Sequence, residues 1–139
     1  MFVCVGNTCR SQMAEALARH LASDVIEATS AGLVPFGEIV APTREALAEI
    51  GLGVDGQSSK PVRPEDLESA DLIVNLTGRS SDSAFRGDWK KVEDWKVSDP
   101  FGEDLVVYRR IRDEIEGRVR ELADRLRKKH EGRSNDKAD

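Results

Sequence analysis

Phe2-Val3-Cys4-Val5-Gly6-Asn7-Thr8-Cys9-Arg10-Ser11 contains the change of pattern that decides the fold. The apolar run of Phe2, Val3 and Val5 stops at Gly6-Asn7. A helical period then starts near Ser11 and passes through Met13, Ala14, Leu17, Ala18 and Leu21. The expectation is a strand, a tight loop and a helix start. Such a loop turns its backbone N–H groups into one concavity, and the helix N-terminus adds partial positive charge. Cys4 falls at the strand end and Arg10 at the helix start. A thiol beside amides, a helix N-terminus and a guanidinium is set up as a nucleophile beneath a bound oxyanion. Gly6 and Asn7 suit positive φ, and Ser11 is placed to reach back toward the sulfur. In isolation such a cysteine is a small buried hydrophobe and such an arginine a solvated one. The strand before and the helix after turn the reading toward chemistry.

Working outward, Val25 to Ser30 reads as a second strand ending at Ala31-Gly32. Leu33 to Ala41 is a loop at a strand's carboxyl end, where open α/β sheets bind ligands, and Phe36 is either a wall of that site or a loop anchor. Pro42 opens a helix with Leu47 and Ile50 on its apolar side. Val54 to Val62 is a polar, turn-rich loop, with Ser58-Ser59-Lys60 expected as solvated. Pro64-Glu65-Asp66-Leu67 starts a short helix. Asp71 to Leu76 is apolar enough for a buried parallel strand, a short helix is expected near Ser80 to Phe85, and Val92 to Trp95 is a fourth strand. The last helix is expected from Asp104 to Lys128, with Leu105, Tyr108, Ile111, Ile115, Val119, Leu122 and Leu126 in one stripe and its arginines solvated. Alternating strands and helices give an α/β, single-domain, doubly wound fold of four parallel strands. The domain is expected over 1–129, with 130–139 as a disordered tail.

The sequence has 139 residues, 34% charged and 5% aromatic, with a net charge of -5. That size suits one domain with its own core. The acidic balance argues against nucleic acid as a partner. No apolar run is long enough to span a bilayer and no leader precedes the first strand, so a cytoplasmic protein is expected. Two cysteines in such a chain suggest chemistry before stapling. Cys4, Cys9, His20 and His130 match no zinc spacing, so no metal is expected.

Cys4-Val5-Gly6-Asn7-Thr8-Cys9-Arg10-Ser11-Gln12-Met13-Ala14-Glu15-Ala16 resembles the low-molecular-weight protein tyrosine phosphatases. It resembles equally their relatives, the thioredoxin-coupled arsenate reductases. Ser30-Ala31-Gly32, Ser58-Ser59-Lys60 and Asp99-Pro100 resemble further segments of the same superfamily. The resemblance covers nearly all of the chain before the tail. It implies the strand order 2-1-3-4, which puts the Cys4 loop at the topological switch point. It also implies that Asp99 is the general acid. By itself Asp-Pro reads as a turn.

Two branches must be weighed. Gln12, Ala41-Pro42, Trp95 and Arg109 to Ile115 look more like the arsenate reductases. Leu76 to Phe85, however, lacks the redox cysteines that those enzymes carry there, so an internal thiol relay cannot be built. The expectation is therefore a cofactor-free phosphomonoester hydrolase acting on a phosphotyrosine protein or small aryl phosphate. Cys4, Arg10 and Asp99 are its catalytic residues, and Val5, Gly6, Asn7, Thr8, Cys9, Arg10 and Ser11 bind substrate. The rivals are an arsenate reductase that borrows an external thiol reductant, of glutaredoxin or mycothiol type, and a non-catalytic oxyanion-binding module. Cys9 is either a redox partner of Cys4 or a small buried loop residue.

Overall fold

Four three-residue strands carry the architecture of this computed structural model, which describes residues 1–87 and 89–138, with side chains as far as Arg133. They are β1 (Phe2–Cys4), β2 (Ser30–Gly32), β3 (Ile73–Asn75) and β4 (Val92–Asp94). All pair in parallel in the order β2-β1-β3-β4. The register sets Cys4 beside Gly32 and Val3 beside Asn75. The carboxyl ends of β1, β2 and β3 therefore share one rim.

Parallel strands need crossovers, and helices supply them. They are α1 (Arg10–Leu21), α2 (Ala41–Ala48), α3 (Pro64–Ser69), α4 (Ser81–Phe85) and α5 (Leu105–Ala138). Side chains alternate across the strands. Phe2, Cys4 and Val74 join a core with Met13, Leu17, Leu47, Ile111 and Ile115 of α1, α2 and α5. Val3 and Ile73 face the other way, onto Leu67 and Phe85 of α3 and α4.

Three local expectations are corrected. The second strand begins at Ser30 and not at Val25, because β1 begins at Phe2 and its N–H already bonds Thr29 O. Residues before Thr29 lie beyond the reach of that pairing. The last helix continues past Lys128. The stretch 130–139 contains no proline and a single glycine, and its backbone is helical through Ala138, while Asp139 lies outside the described residues. The arginines of α5 are not uniformly solvated. Arg112 is buried and donates to Ala46 O at 2.7 Å and Glu49 Oε1 at 2.9 Å. No helix is long and apolar enough to cross a membrane among the described residues.

Candidate active site

The loop from Val5 to Cys9 leaves β1 and enters α1 with the sharp turn its sequence predicts. Asn7 takes φ +53, the left-handed region that asparagine tolerates. Its side chain then braces the loop. The amide donates to Ser11 Oγ at 2.7 Å and Ser30 Oγ at 3.0 Å, and Asn7 Oδ1 accepts from the Lys60 N–H at 2.9 Å. Ser11 Oγ in turn lies 2.8 Å from Cys4 Sγ. Ser30 continues inward by donating to the buried Glu15 at 2.6 Å, and Glu15 also pairs with Arg19 at 2.7 Å.

Beyond β2 the chain runs on alongside this loop. Leu33, Val34 and Phe36 N–H groups donate to Cys4, Val5 and Gly6 carbonyls. That track delivers Phe36 to the mouth, where a Cβ on Gly6 would stand 2.9 Å from the Phe36 ring. From the far end of the sheet, the segment after β4 brings Asp99 and Phe101. Arg10 joins the two sides. Its guanidinium donates to Val97 O at 3.1 Å and stands 3.6 Å from Asp99 Oδ2. Arg10 Nε is buried without a hydrogen-bond partner among the described residues, an atom that an oxyanion would satisfy.

The result is a cavity of about 140 Å³. Cys4, Val5, Gly6, Thr8, Cys9 and Arg10 form its floor, and Phe36, Asp99 and Phe101 its walls. The two phenylalanines touch across the mouth with ring centroids 5.6 Å apart, and are 59% and 52% exposed. Asn7 and Ser11 do not line this cavity. They lie beneath it as braces. A second concavity, of about 1490 Å³, opens near Met1, Ile26 and Leu72, away from these residues.

Cys9 is buried among hydroxyls, 3.5 Å from both Thr8 Oγ1 and Tyr108 OH. Burial pushes its thiol above the ordinary range, against those hydrogen bonds. The same burial raises the Tyr108 phenol. No group of three or more His, Cys, Asp or Glu side chains is placed to hold a metal among the described residues.

Several contributors are absent from the sequence reading. Ser59 and Lys60, read as solvated, hold the loop through Gly6 O at 3.1 Å and Asn7 Oδ1. Gln12 donates to Asn7 O and Ser58 O, and Thr43 to Thr8 O at 2.9 Å. Tyr108, read as core, reaches Cys9. Apart from Gln12 to Asn7, five residues apart, each contact crosses many residues of sequence, so periodicity carries no sign of it. The resemblances of the Cys4 to Ala16 stretch, which includes Gln12, and of Ser58-Ser59-Lys60 were the available signals.

Comparison with known proteins agrees with this fold. The family described as low molecular weight phosphotyrosine protein phosphatase matches residues 1–132. A glutaredoxin arsenate reductase from Synechocystis sp. is 36% identical over 124 residues, covering 88% of this chain and 93% of that protein. The protein-arginine-phosphatase of Bacillus subtilis is 37% identical over 145 residues, with 92% and 96% covered. Among solved structures, an arginine phosphatase with a cysteine-to-serine change and a phosphorylated active-site serine superposes with a TM-score of 0.82. It shares 34% identity and covers 91% of this chain and 94% of that one. On the family match and these relatives, the chain belongs to the low-molecular-weight phosphotyrosine protein phosphatase family.

Proposed function

We propose that the protein is a cysteine-dependent phosphatase that works through a phosphocysteine, with phosphotyrosine proteins or small aryl phosphates as substrates. One observation carries the reading. Cys4 and Asp99, far apart in the sequence, line one small cavity with Arg10 between them. The loop amides from Val5 to Arg10 and the Arg10 fork bind the phosphoryl dianion. The Cys4 thiolate attacks phosphorus in line, so a P–S bond forms as the P–O bond to the leaving group breaks. Protonated Asp99 gives its proton to the leaving oxygen. Water then attacks phosphorus, Asp99 takes the water's proton, and the P–S bond breaks. The Ser11 hydroxyl donates to the departing thiolate. Arg10 and the amides stabilise the charge spread over the equatorial oxygens. The exposed Phe36 and Phe101 offer flat apolar walls to an aryl leaving group. The phosphorylated serine of the arginine phosphatase relative supports phosphoryl transfer to this position, and its name adds phosphoarginine to the substrates worth assaying.

The arsenate reductase relatives support a second reading. Arsenate reduction oxidises two thiols to a disulfide for each arsenate converted to arsenite. Both cysteines of this chain line the same small cavity, so in this reading an external glutaredoxin- or mycothiol-type thiol completes the cycle.

The test is a paired assay on purified protein and its Cys4→Ser variant. The expected result is hydrolysis of p-nitrophenyl phosphate by the native chain, lowered roughly 10³-fold or more by Cys4→Ser with the fold intact. Retained hydrolysis in the variant overturns the nucleophile. Arsenate-dependent oxidation of a thiol system, with no phosphate ester cleaved, overturns the phosphatase reading in favour of the reductase.

A further inference from the structure

In a trans peptide each N–H points away from the C=O of the preceding residue. The peptides of the Cys4 loop are trans, so whatever holds a loop carbonyl also aims the next amide. Cys4 O accepts from Leu33 N–H at 3.1 Å, Val5 O from Val34 N–H at 2.8 Å and Cys9 O from Met13 N–H at 2.9 Å. Gly6 O accepts from Phe36 N–H at 3.2 Å and from Ser59 Oγ at 3.1 Å. Of these donor residues Phe36 alone lines the cavity. Conversely, no N–H from Val5 to Arg10 donates to an acceptor among the described residues. The carbonyls are tied from outside, and the amides are left for an anion.

Two carbonyls in the middle of the loop have no backbone donor among the described residues. Asn7 O accepts from Gln12 Nε2 at 3.0 Å, and Thr8 O from Thr43 Oγ1 at 2.9 Å. Both donor side chains are fully buried. Gln57 Nε2 donates to Gln12 Oε1 at 2.8 Å, which turns the Gln12 NH2 toward the loop, and that NH2 also reaches Ser58 O at 3.1 Å. Thr43 brings its hydroxyl from the first turn of another helix, α2. A valine there would match the shape of Thr43, yet it would leave the buried Thr8 carbonyl without a donor.

We infer that Gln12 and Thr43 are positioning residues for the oxyanion cradle: by holding the Asn7 and Thr8 carbonyls, they aim the Thr8 and Cys9 N–H groups at the bound anion. Neither side chain lines the cavity, so both act through the backbone. The inference rests on the reading of this loop as an oxyanion site, and it holds for phosphate and arsenate alike. Donors fixed in advance matter most where charge develops, in the transition state. Loss of either anchor should therefore weaken a bound anion and slow kcat, the second more than the first.

The experiment titrates inorganic phosphate by calorimetry into native protein, Thr43→Val, Thr43→Ser and Gln57→Ala, with kcat on p-nitrophenyl phosphate and Tm measured for each. Thr43→Val is expected to weaken phosphate binding about threefold and to lower kcat about tenfold. Thr43→Ser keeps the hydroxyl and should recover most of both losses, although it drops the methyl group. Gln57→Ala frees the Gln12 amide without emptying the core, and should give the same pattern at smaller size. Should Thr43→Val not fold, Gln57→Ala decides alone. Native phosphate affinity and kcat in the folded variants, whatever their Tm, overturn the inference, as do equal losses in Thr43→Val and Thr43→Ser. A native chain that binds phosphate but cleaves no ester overturns the phosphatase reading, and the binding comparison still decides this inference. A native chain that binds no phosphate removes the oxyanion site, and this inference with it.

Discussion

Gly32 has no unusual backbone angle, yet it has no room for a side chain. A Cβ there would stand 2.8 Å from Asn7 Cβ and 2.9 Å from both Asn7 N and Val5 O. Two of those atoms are backbone of the oxyanion loop, so the loop itself must yield. Gly32→Ala is expected to cost about 1–3 kcal/mol, read as a lower Tm. It should also cut kcat/KM on p-nitrophenyl phosphate by roughly 10²-fold through displacement of the cradle. Unchanged kinetics would mean that the loop absorbs the shift. Asn7 and Gly32 show which parts of the site were legible. The positive φ of Asn7 follows from its own chemistry and its place in a turn. The need for glycine at 32 comes from two distant loops meeting, which no local pattern records.

At the scale of elements, α5 is locked to α2 by charge as well as by its apolar stripe. Glu49, just past α2, accepts from Arg109 at 2.6 and 2.9 Å and from Arg112 at 2.9 Å. Those hydrogen bonds, with Arg109 the larger influence, hold the Glu49 carboxyl below its ordinary 4.5. A depressed carboxyl contributes stability that is present above the unfolded value and lost as pH falls through the folded one. Glu49→Gln should therefore lower Tm near pH 7, with the gap to the native protein closing as pH drops below 4.5. A gap that stays constant down to pH 3 would remove the ionic account. The stripe of Tyr108, Ile111, Ile115, Val119 and Leu122 was readable from spacing, because burial imposes a helical period. The role of Arg112 was not, because an arginine between helices looks like any other in the string.

For the whole molecule, the order of elements was the readable part. Apolar runs alternating with amphipathic ones admit few arrangements once parallel pairing and right-handed crossovers are required. Strand ends were less readable, since three-residue strands are set by their neighbours' register. The far end of α5 bears on stability. Among the described side chains its last buried one is Ala123, and Leu126 is half-buried. His130 to Arg133 are exposed, so a chain ending at Lys129 should keep its Tm within about 2 °C of the full chain, since surface positions contribute within ±0.5 kcal/mol. A larger fall would give 130–139 a packing role. Finally, β1 lies between β2 and β3, and its face is sealed by α1 and by α5. Synthesis makes the Cys4 loop before it makes Asp99, the Val97 carbonyl that anchors Arg10, and Tyr108. A nascent chain thus holds its thiol before it holds the side chains that wall the cavity around it, so the proposed chemistry waits on Asp99 and Phe101.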